Sequence, residues 1–295
     1  MPYSHLPRIS LLDRPTPLEP LRRIGAELGH QALFVKRDDV MALGLGGNKV
    51  RSLEFWIGEA LSQGCDTLLV AGQPVSNQCR LTAAAAAKVG LGCVILHNAE
   101  RPARIAGNLL LNHLFGAEIH YLGPLDEDAR DIAMAEKARE LRKAGANPYI
   151  VGDAMVGAVG YVVGAEELLG QASETVGSFE HIVMPGSMGT TEAGFLYGLL
   201  RGGFSGTVHV ISVEYAAPEM AARIEAIFAR VAAELGALTG GPADIARYDD
   251  SFLGSGYAMT SPESATAMKR FATTEGLLLE PTYTAKPFAA LLAMI

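Results

Sequence analysis

The 295-residue sequence lacks several features that would mark other protein classes. Its three cysteines, Cys65, Cys79 and Cys93, are odd in number and form no C-x-x-C pair, so we expect reduced thiols rather than a disulfide framework. Stretches without charged residues, such as Ile105–Ala117, are shorter than the roughly 18–20 apolar residues of a membrane-spanning helix. The net charge of −8 argues against a nucleic-acid partner.

Signals for secretion, metal binding and serine hydrolysis are also missing. Residues 1–8 contain no apolar segment of a secretory signal, so we expect a cytoplasmic protein. The seven histidines form no H-x-x-x-H or H-x-x-E-H pair, so no metal site is predicted. The sequence contains no G-x-S-x-G nucleophile elbow.

Short β-branched or leucine-rich runs alternate with longer helical patterns, which is typical of βαβ units on a parallel sheet. The predicted strands are Leu33–Lys36, Thr67–Ala71, Cys93–Leu96, Glu118–Tyr121, Tyr149–Val151, His181–Met184 and Val208–Val213. The predicted helices are Arg51–Gln63, Asn77–Val89, Ala103–Phe115, Asp128–Ala144, Gly157–Leu169, Thr191–Leu200, Pro218–Leu235 and Pro262–Glu275, with a short terminal helix near Pro287.

A glycine-rich segment, residues 44–51, runs directly into a helical pattern and places Lys49 in its first turn. Glycines let the backbone approach a ligand closely. The positive potential at a helix start lowers the pKa of a lysine, which favours its amine as a nucleophile. The segment matches neither the P-loop nor the G-x-G-x-x-G pattern of nucleotide-binding loops. An ordinary surface lysine is the alternative.

A second glycine-containing turn consists of Ser187, Met188, Gly189, Thr190 and Thr191, between a predicted strand and a predicted helix. The N–H groups at a helix start, with hydroxyl side chains beside them, bind anions well. The turn is short enough to suit one phosphate. A plain βα turn with a threonine N-cap is the alternative.

Three hydrogen-bonding side chains, Ser76, Asn77 and Gln78, open another predicted helix and could bind a carboxylate, although Ser76 could simply be an N-cap. Tyr257 and Tyr283 lie in turns, where a tyrosine packs as a lid more often than it takes part in catalysis. Together these features suggest pyridoxal phosphate acting on an amino acid, with the lysine holding the cofactor as a Schiff base. An α/β domain that binds another phosphate compound remains open.

The sequence resembles the family of pyridoxal-phosphate enzymes that contains D-cysteine desulfhydrase and 1-aminocyclopropane-1-carboxylate (ACC) deaminase, within the tryptophan-synthase-β-like fold group. The resemblance covers nearly the whole chain, and its G-G-N-K and S-N-Q elements are specific when they occur together. The segments with this resemblance are Pro15–Leu18, Val35–Asp39, Gly46–Lys49, Ser76–Gln78, Gly160–Val162 and Glu280–Thr284.

The resemblance implies roles for the residues that bind the cofactor and the substrate carboxylate. Lys49 would bind the cofactor and move protons at the α or β carbon of the substrate. Asn77 would contact the phenolic oxygen of the cofactor, while Ser76 and Gln78 would hold the substrate carboxylate. The loop of residues 187–191 would bind the phosphate.

The resemblance also implies roles on the substrate side, and here the relatives differ. Tyr257 and Tyr283 would line this side, one of them polarising a leaving group or acting as an acid. Thr284 falls where relatives place the partner of the pyridine nitrogen, and a hydroxyl there, as in desulfhydrases, favours elimination. Gln78 instead matches the deaminase pattern. Asp153 replaces part of a Gly-Gly-Ser-like loop that borders the substrate, where it could pair with an amine or repel an anionic side chain.

We therefore expect a two-domain α/β fold with parallel-rich twisted sheets and helices on both faces. Residues 1–50 and 156–295 would form the larger, cofactor-binding domain, and residues 51–155 a smaller α/β domain. The expected enzyme is a lyase that converts D-cysteine to pyruvate, sulfide and ammonia by α,β-elimination. The alternatives are an ACC deaminase, a hydrolase giving 2-oxobutanoate and ammonia, and a divergent biosynthetic or non-catalytic relative that binds the cofactor. The resemblance also implies a homodimer.

Overall fold

Strands and helices alternate along nearly the entire chain in the computed structural model, which describes residues 1–30 and 32–295. The elements, in chain order, are β1 (Leu18–Pro20), α1 (Arg22–Leu28), β2 (Phe34–Lys36), α2 (Lys49–Ser62), β3 (Thr67–Ala71), α3 (Asn77–Val89), β4 (Gly92–His97), α4 (Gly107–Leu114), β5 (Glu118–Tyr121), α5 (Glu127–Lys143), β6 (Pro148–Ile150), α6 (Ala154–Thr175), β7 (His181–Gly186), α7 (Thr190–Arg201), β8 (Thr207–Ser212), α8 (Ala217–Leu235), α9 (Pro242–Ile245), β9 (Ala246–Asp249), α10 (Pro262–Glu275) and α11 (Ala285–Met294). Within the described residues, no helix is both long enough and apolar enough to cross a membrane.

The chain divides into two compact units. Unit 1 comprises Met1–Thr16 and Asp38–Gly160, and unit 2 comprises Pro17–Arg37 and Tyr161–Ile295. Our sequence-based limits at residues 50 and 155 differ from this division, in part because residues 43–46 pack against α3. The guanidinium of Arg80 on α3, for example, donates to the carbonyl of Gly46. Such contacts between distant segments leave no mark in the local sequence.

Unit 1 is built on a parallel sheet with strand order β5-β4-β3-β6. The chain adds β4 and β5 on one side of β3 and then returns to place β6 on the other side. The strand order therefore reverses between β3 and β6, and in open α/β sheets ligands bind beside the carboxyl ends of the strands at such a reversal. The side chains of Phe55 and Trp56 on α2 lie in the core and are each 1% exposed.

Unit 2 contains a two-stranded antiparallel sheet, β1-β2, and a parallel sheet with strand order β7-β8-β9. One of its apolar clusters joins Leu21 and Ile24 of the N-terminal segment to Phe271 and Leu277 near the C-terminus. The parallel order of β7, β8 and β9 brings the loops that follow these strands to one edge of the sheet.

The structure corrects the predicted elements in a few places. The helix that we expected over Ala103–Phe115 begins only at Gly107, because the preceding residue, Ala106, is extended with φ −152° and ψ 169°. The short elements β1, α1, α9 and β9 were not predicted. Strands of three or four residues contain too few positions for an alternating pattern to be recognised.

Candidate active site

Lys49 is the first residue of α2, and the residues before it form a tight loop that only glycine can build. Gly46 has φ +70°, and a Cβ atom there would lie 2.4 Å from the carbonyl oxygen of Asp39. Gly47 has φ +126°, and its N–H donates to the carbonyl of Asp38 at 3.1 Å. The half-buried side chain of Lys49 is therefore presented by a loop with little conformational freedom.

Arg80, a buried residue of α3, connects this glycine loop to Asn77. Its guanidinium donates to the carbonyl oxygens of Gly44 and Gly46 and to Oδ1 of Asn77, the last at 3.1 Å. Burial lowers the pKa of Arg80, although a guanidinium stays charged in proteins. Arg80 was not predicted from the sequence. The one feature of the sequence that could have indicated it is an arginine next to the alanine-rich stretch of α3.

The amide of Asn77 is held in one orientation. Its Oδ1 accepts hydrogen bonds from Arg80 and from Nδ2 of Asn108, each at 3.1 Å. The Nδ2 group of Asn77 therefore remains the donor that can reach a ligand oxygen. This orientation agrees with the predicted contact to the phenolic oxygen of the cofactor, and that contact stays a prediction.

Ser76, Gln78 and Asp153 lie in the segments that follow β3 and β6, beside the reversal of strand order. Ser76 is the N-cap of α3, and its Oγ accepts from the N–H of Cys79 at 3.3 Å. A Cβ atom at Gly152 would lie 3.9 Å from Nε2 of Gln78, which shows that the two segments are adjacent.

Asp153 has a structural role that the sequence did not indicate. Its Oδ1 accepts from the N–H of Val156 at 3.0 Å, in the first turn of α6. Its carbonyl accepts from the indole N–H of Trp56 at 2.8 Å. The predicted contact of Asp153 with the substrate stays a prediction beside this role.

The turn of residues 187–191, which we call the phosphate loop, joins β7 to α7. Gly189 is the N-cap of α7 with φ +94°, and a Cβ atom there would lie 3.3 Å from the backbone nitrogen of Ile224. The buried Thr190 and Thr191 begin the helix. The backbone N–H groups of a first helical turn have no carbonyl acceptor within the helix, so they favour an anion at this end.

Two glutamates contact Ser187 in the phosphate loop. The N–H of Ser187 donates to Oε1 of Glu192 at 2.7 Å, and its Oγ donates to Oε2 of Glu214 at 2.6 Å. The glycine turn, the hydroxyl groups and the helix start fit one phosphate group. A phosphate that reached the N–H of Ser187 would have to share it with Glu192 or replace that carboxylate.

Tyr257 and Tyr283 form a hydrogen-bonded pair, which we call the tyrosine pair. Their hydroxyl oxygens lie 2.6 Å apart, and their rings meet edge to face with centroids 5.8 Å apart. Burial raises the pKa of Tyr283 far above its usual range, and the nearby Tyr257, Glu214 and Glu280 raise it further. Tyr283 is therefore a neutral phenol at physiological pH, able to donate a hydrogen bond or a proton.

Thr284 takes part in the turn that precedes α11. Its Oγ1 accepts from the N–H of Glu280 at 2.8 Å and lies 3.2 Å from the carbonyl of Glu280. The Glu280 carboxylate in turn accepts from the N–H groups of Thr282, Tyr283 and Thr284. The turn thus fixes the backbone of Tyr283, and the predicted role of Thr284 beside the pyridine nitrogen stays a prediction.

Each unit brings its own predicted residues together. In unit 1, Ser76, Asn77, Gln78 and Asp153 lie on adjacent segments, and Arg80 joins Asn77 to the glycine loop before Lys49. In unit 2 these are the phosphate loop and the tyrosine pair. Glu192, Glu214 and Arg80 are the functional candidates that sequence reasoning missed. No group of three or more metal-ligating side chains occurs among residues 1–30 and 32–295. The three cysteines are free and buried.

Comparison with known proteins shows which family the chain matches. A family model described as pyridoxal-phosphate dependent enzyme matches residues 9–295. The D-cysteine desulfhydrase of Salmonella schwarzengrund is 38% identical over 305 aligned residues, covering 99% of this chain and 90% of that protein. A crystal structure of an ACC deaminase homologue matches with a TM-score of 0.90 and 30% identity, over 99% of this chain and 88% of that one. The threonine deaminase of T.th. shares the fold, with a TM-score of 0.66 and 20% identity over 95% of this chain and 87% of that one.

Proposed function

The chain belongs to the family of pyridoxal-phosphate dependent enzymes, and we propose that it converts D-cysteine and water to pyruvate, sulfide and ammonia. The observation that supports this substrate most strongly is the 38% identity with a D-cysteine desulfhydrase over 99% of the chain. The family, the fold class and the cofactor predicted from the sequence are confirmed by the comparisons. The residue roles below are proposals.

Lys49 is proposed as the residue that binds the cofactor and moves the α proton of the substrate. When bound, pyridoxal phosphate supplies an aldehyde that bonds to amines and a ring that withdraws electrons from the amino acid. A lysine at a helix start is suited to proton transfer, because the local positive potential favours its neutral form. The rigid glycine loop keeps the amine of Lys49 in one place.

Ser76, Asn77 and Gln78 are proposed to orient the substrate. Ser76 and Gln78 would donate hydrogen bonds to its carboxylate, near the N–H groups at the start of α3. Asn77 would donate from Nδ2 to the phenolic oxygen of the cofactor, an orientation supported by the two hydrogen bonds that its Oδ1 accepts. Asp153 would border the substrate side chain.

The phosphate loop and the tyrosine pair are proposed to act at opposite ends of the bound ligand. The loop would hold the phosphate and so fix the cofactor in place. Tyr283, a neutral phenol, would donate a hydrogen bond toward the leaving sulfur, with Tyr257 as its partner. If Tyr283 also transfers its proton to the sulfur, such positioned general acids contribute about 10²–10⁴-fold to rates. Thr284 would lie beside the pyridine nitrogen.

We further propose that unit 2 contains most of the cofactor-binding residues and that the enzyme is a cytoplasmic homodimer. The three free, buried cysteines are consistent with a reducing compartment. The homodimer rests on the family resemblance, and light scattering during gel filtration tests it: a mass of one chain would contradict the proposal.

The second candidate function is ACC deamination to 2-oxobutanoate and ammonia. Two observations favour it, namely the TM-score of 0.90 with an ACC deaminase homologue and glutamine at residue 78. A divergent biosynthetic or non-catalytic relative that binds the cofactor is a third possibility.

A product assay separates these candidates. The purified, cofactor-loaded enzyme is incubated in parallel with D-cysteine, L-cysteine and ACC, and the oxoacids are identified by chromatography. Pyruvate and sulfide in equal amounts from D-cysteine are the expected result. Formation of 2-oxobutanoate from ACC alone would favour the deaminase, and the absence of turnover with all three would favour the third possibility.

A further inference from the structure

Lys286 is a buried lysine of unit 2 whose ammonium group donates to backbone carbonyls. Its side chain lies in the first turn of α11 and is 0% exposed. Nζ donates to the carbonyl oxygens of Gly256 at 2.8 Å, Leu253 at 2.9 Å and Val213 at 3.4 Å. Burying a charged amine is costly unless its donors are satisfied, and these three acceptors use all three N–H groups of the ammonium.

The three carbonyls belong to segments that present proposed active-site side chains. Gly256 immediately precedes Tyr257, and Val213 immediately precedes Glu214, which contacts the phosphate loop. Lys286 itself follows Tyr283 by three residues. One side chain therefore joins the backbone segments of both tyrosines and of the glutamate that bonds to Ser187.

The segment with Tyr257 depends on such contacts because it has no regular structure. Residues 250–261, which we call the tyrosine loop, lie between β9 and α10 and contain neither helix nor strand. Three residues of the loop, Gly254, Gly256 and Ala258, have positive φ angles of 65°, 123° and 59°. Two of the three Lys286 hydrogen bonds end in this loop.

We propose that Lys286 is a positioning residue that holds the tyrosine loop so that the hydroxyl groups of Tyr257 and Tyr283 meet. The 2.6 Å separation of these hydroxyls requires both backbones to be placed within a fraction of an ångström. Displacement of a catalytic group by about 1 Å costs about a hundredfold in rate. This proposal depends on the proposed function in one respect, namely that the tyrosine pair acts at the substrate.

The first experiment replaces Lys286 in the cofactor-loaded enzyme. Lys286→Met keeps an apolar stem of similar length and removes the three donors, and Lys269→Met on the exposed face of α10 is the matched control. We expect kcat with D-cysteine to fall by about a hundredfold in Lys286→Met. The cofactor affinity of Lys286→Met should change less than its kcat, because two of the three hydrogen bonds end in the tyrosine loop. The kcat of the control variant should stay within about twofold of that of the unsubstituted enzyme. An unchanged kcat would overturn the proposal.

A double-mutant cycle distinguishes positioning from a general loss of stability. If Lys286 acts through the tyrosine pair, adding Lys286→Met to Tyr257→Phe should lower kcat by no more than about threefold beyond Tyr257→Phe alone. If the two substitutions together lower kcat by the product of their separate factors, the proposal is overturned. Lys286→Gln, which keeps a single amide donor, is the second variant if Lys286→Met does not fold. Failure of both to fold would assign Lys286 to folding and overturn the proposal.

A structural readout is independent of turnover. The crystal structure of the holoenzyme variant should show the hydroxyls of Tyr257 and Tyr283 separated beyond hydrogen-bond distance, with the phosphate loop unchanged. An intact pair in the variant would overturn the proposal. This readout needs no substrate. If the unsubstituted enzyme proves inactive with D-cysteine, the proposed function is contradicted, and the crystal structure of the variant still tests the role of Lys286.

Discussion

At the level of single residues, the hydrogen bonds of Ser187 bear directly on how the phosphate loop could bind an anion. The phosphate loop has the glycine, the hydroxyls and the helix start of an anion site, yet Glu192 accepts from the N–H of Ser187 at 2.7 Å. Glu192 is only 4% exposed and lies in the first helical turn, where an acid is favoured by the helix dipole. The same carboxylate therefore stabilises α7 and opposes a phosphate at its N-terminus.

Glu192→Gln should consequently bind pyridoxal phosphate more tightly. The amide keeps an acceptor for the N–H of Ser187 and removes a negative charge that repels the phosphate. We expect the dissociation constant to fall about five- to tenfold, equivalent to ~1–1.4 kcal/mol. Titration of the apoprotein with cofactor measures it, with Glu174→Gln on the exposed end of α6 as control. Weaker binding by Glu192→Gln would show that its carboxylate supports the loop more than it repels the ligand.

At the scale of elements, the start of α3 organises the proposed site of unit 1. Arg80 on this helix donates to two carbonyls of the glycine loop before Lys49 and to the side chain of Asn77. A planar guanidinium presents five N–H donors in a rigid fork of three nitrogens, whereas an ammonium has three donors on one nitrogen. The position of Lys49 relative to Asn77 therefore depends on an arginine.

Arg80→Lys should weaken this connection while keeping the charge. We expect cofactor affinity to fall about tenfold and the free energy of unfolding to fall by ~1–2 kcal/mol, because carbonyls lose donors. Cofactor titration and urea unfolding measure the two effects, with Arg139→Lys on α5 as an exposed control. Wild-type values for both quantities in Arg80→Lys would refute the role assigned to Arg80.

The elements also show which parts of the structure the sequence could predict. The limits of α3 and α10 were predicted to the residue, because Ser76 and Ser261 are N-caps and Gly90 and Gly276 end the helices with positive φ. The glycine-containing loops before Lys49 and after β7 were likewise recognisable. Contacts between distant segments were not: Lys286 lies 73 residues from Val213, and no local pattern connects them.

At the scale of the whole molecule, buried ionisable groups determine how stability depends on pH. Burial raises the pKa of Cys79 to about 11 and that of Cys93 to about 12. An unfolded cysteine loses its proton near pH 8.5. Above that pH the folded chain keeps protons that the unfolded chain releases, so the stability contributed by these thiols is present below pH ~8.5 and is lost as pH rises.

Cys93→Ala should therefore flatten the alkaline limb of the stability curve. Between about pH 9 and 10, one such thiol makes the free energy of unfolding fall by up to ~1.4 kcal/mol per pH unit. Urea unfolding under reducing conditions at several pH values gives the slope of the free energy of unfolding against pH. Loss of the side chain itself shifts the free energy equally at every pH, so it does not change this slope. Equal slopes for Cys93→Ala and wild type would contradict the burial argument.

We propose that this chain uses pyridoxal phosphate on Lys49 to eliminate sulfide from D-cysteine. The most direct test is the visible absorption spectrum of the purified protein, recorded before and after D-cysteine is added while sulfide is measured. We predict a cofactor band that bleaches or shifts as sulfide appears, and no covalently linked band in Lys49→Ala. A linked band in Lys49→Ala, or no band in wild type after reconstitution with pyridoxal phosphate, would contradict the role of Lys49. A wild-type band that does not change when D-cysteine is added would contradict the proposed substrate.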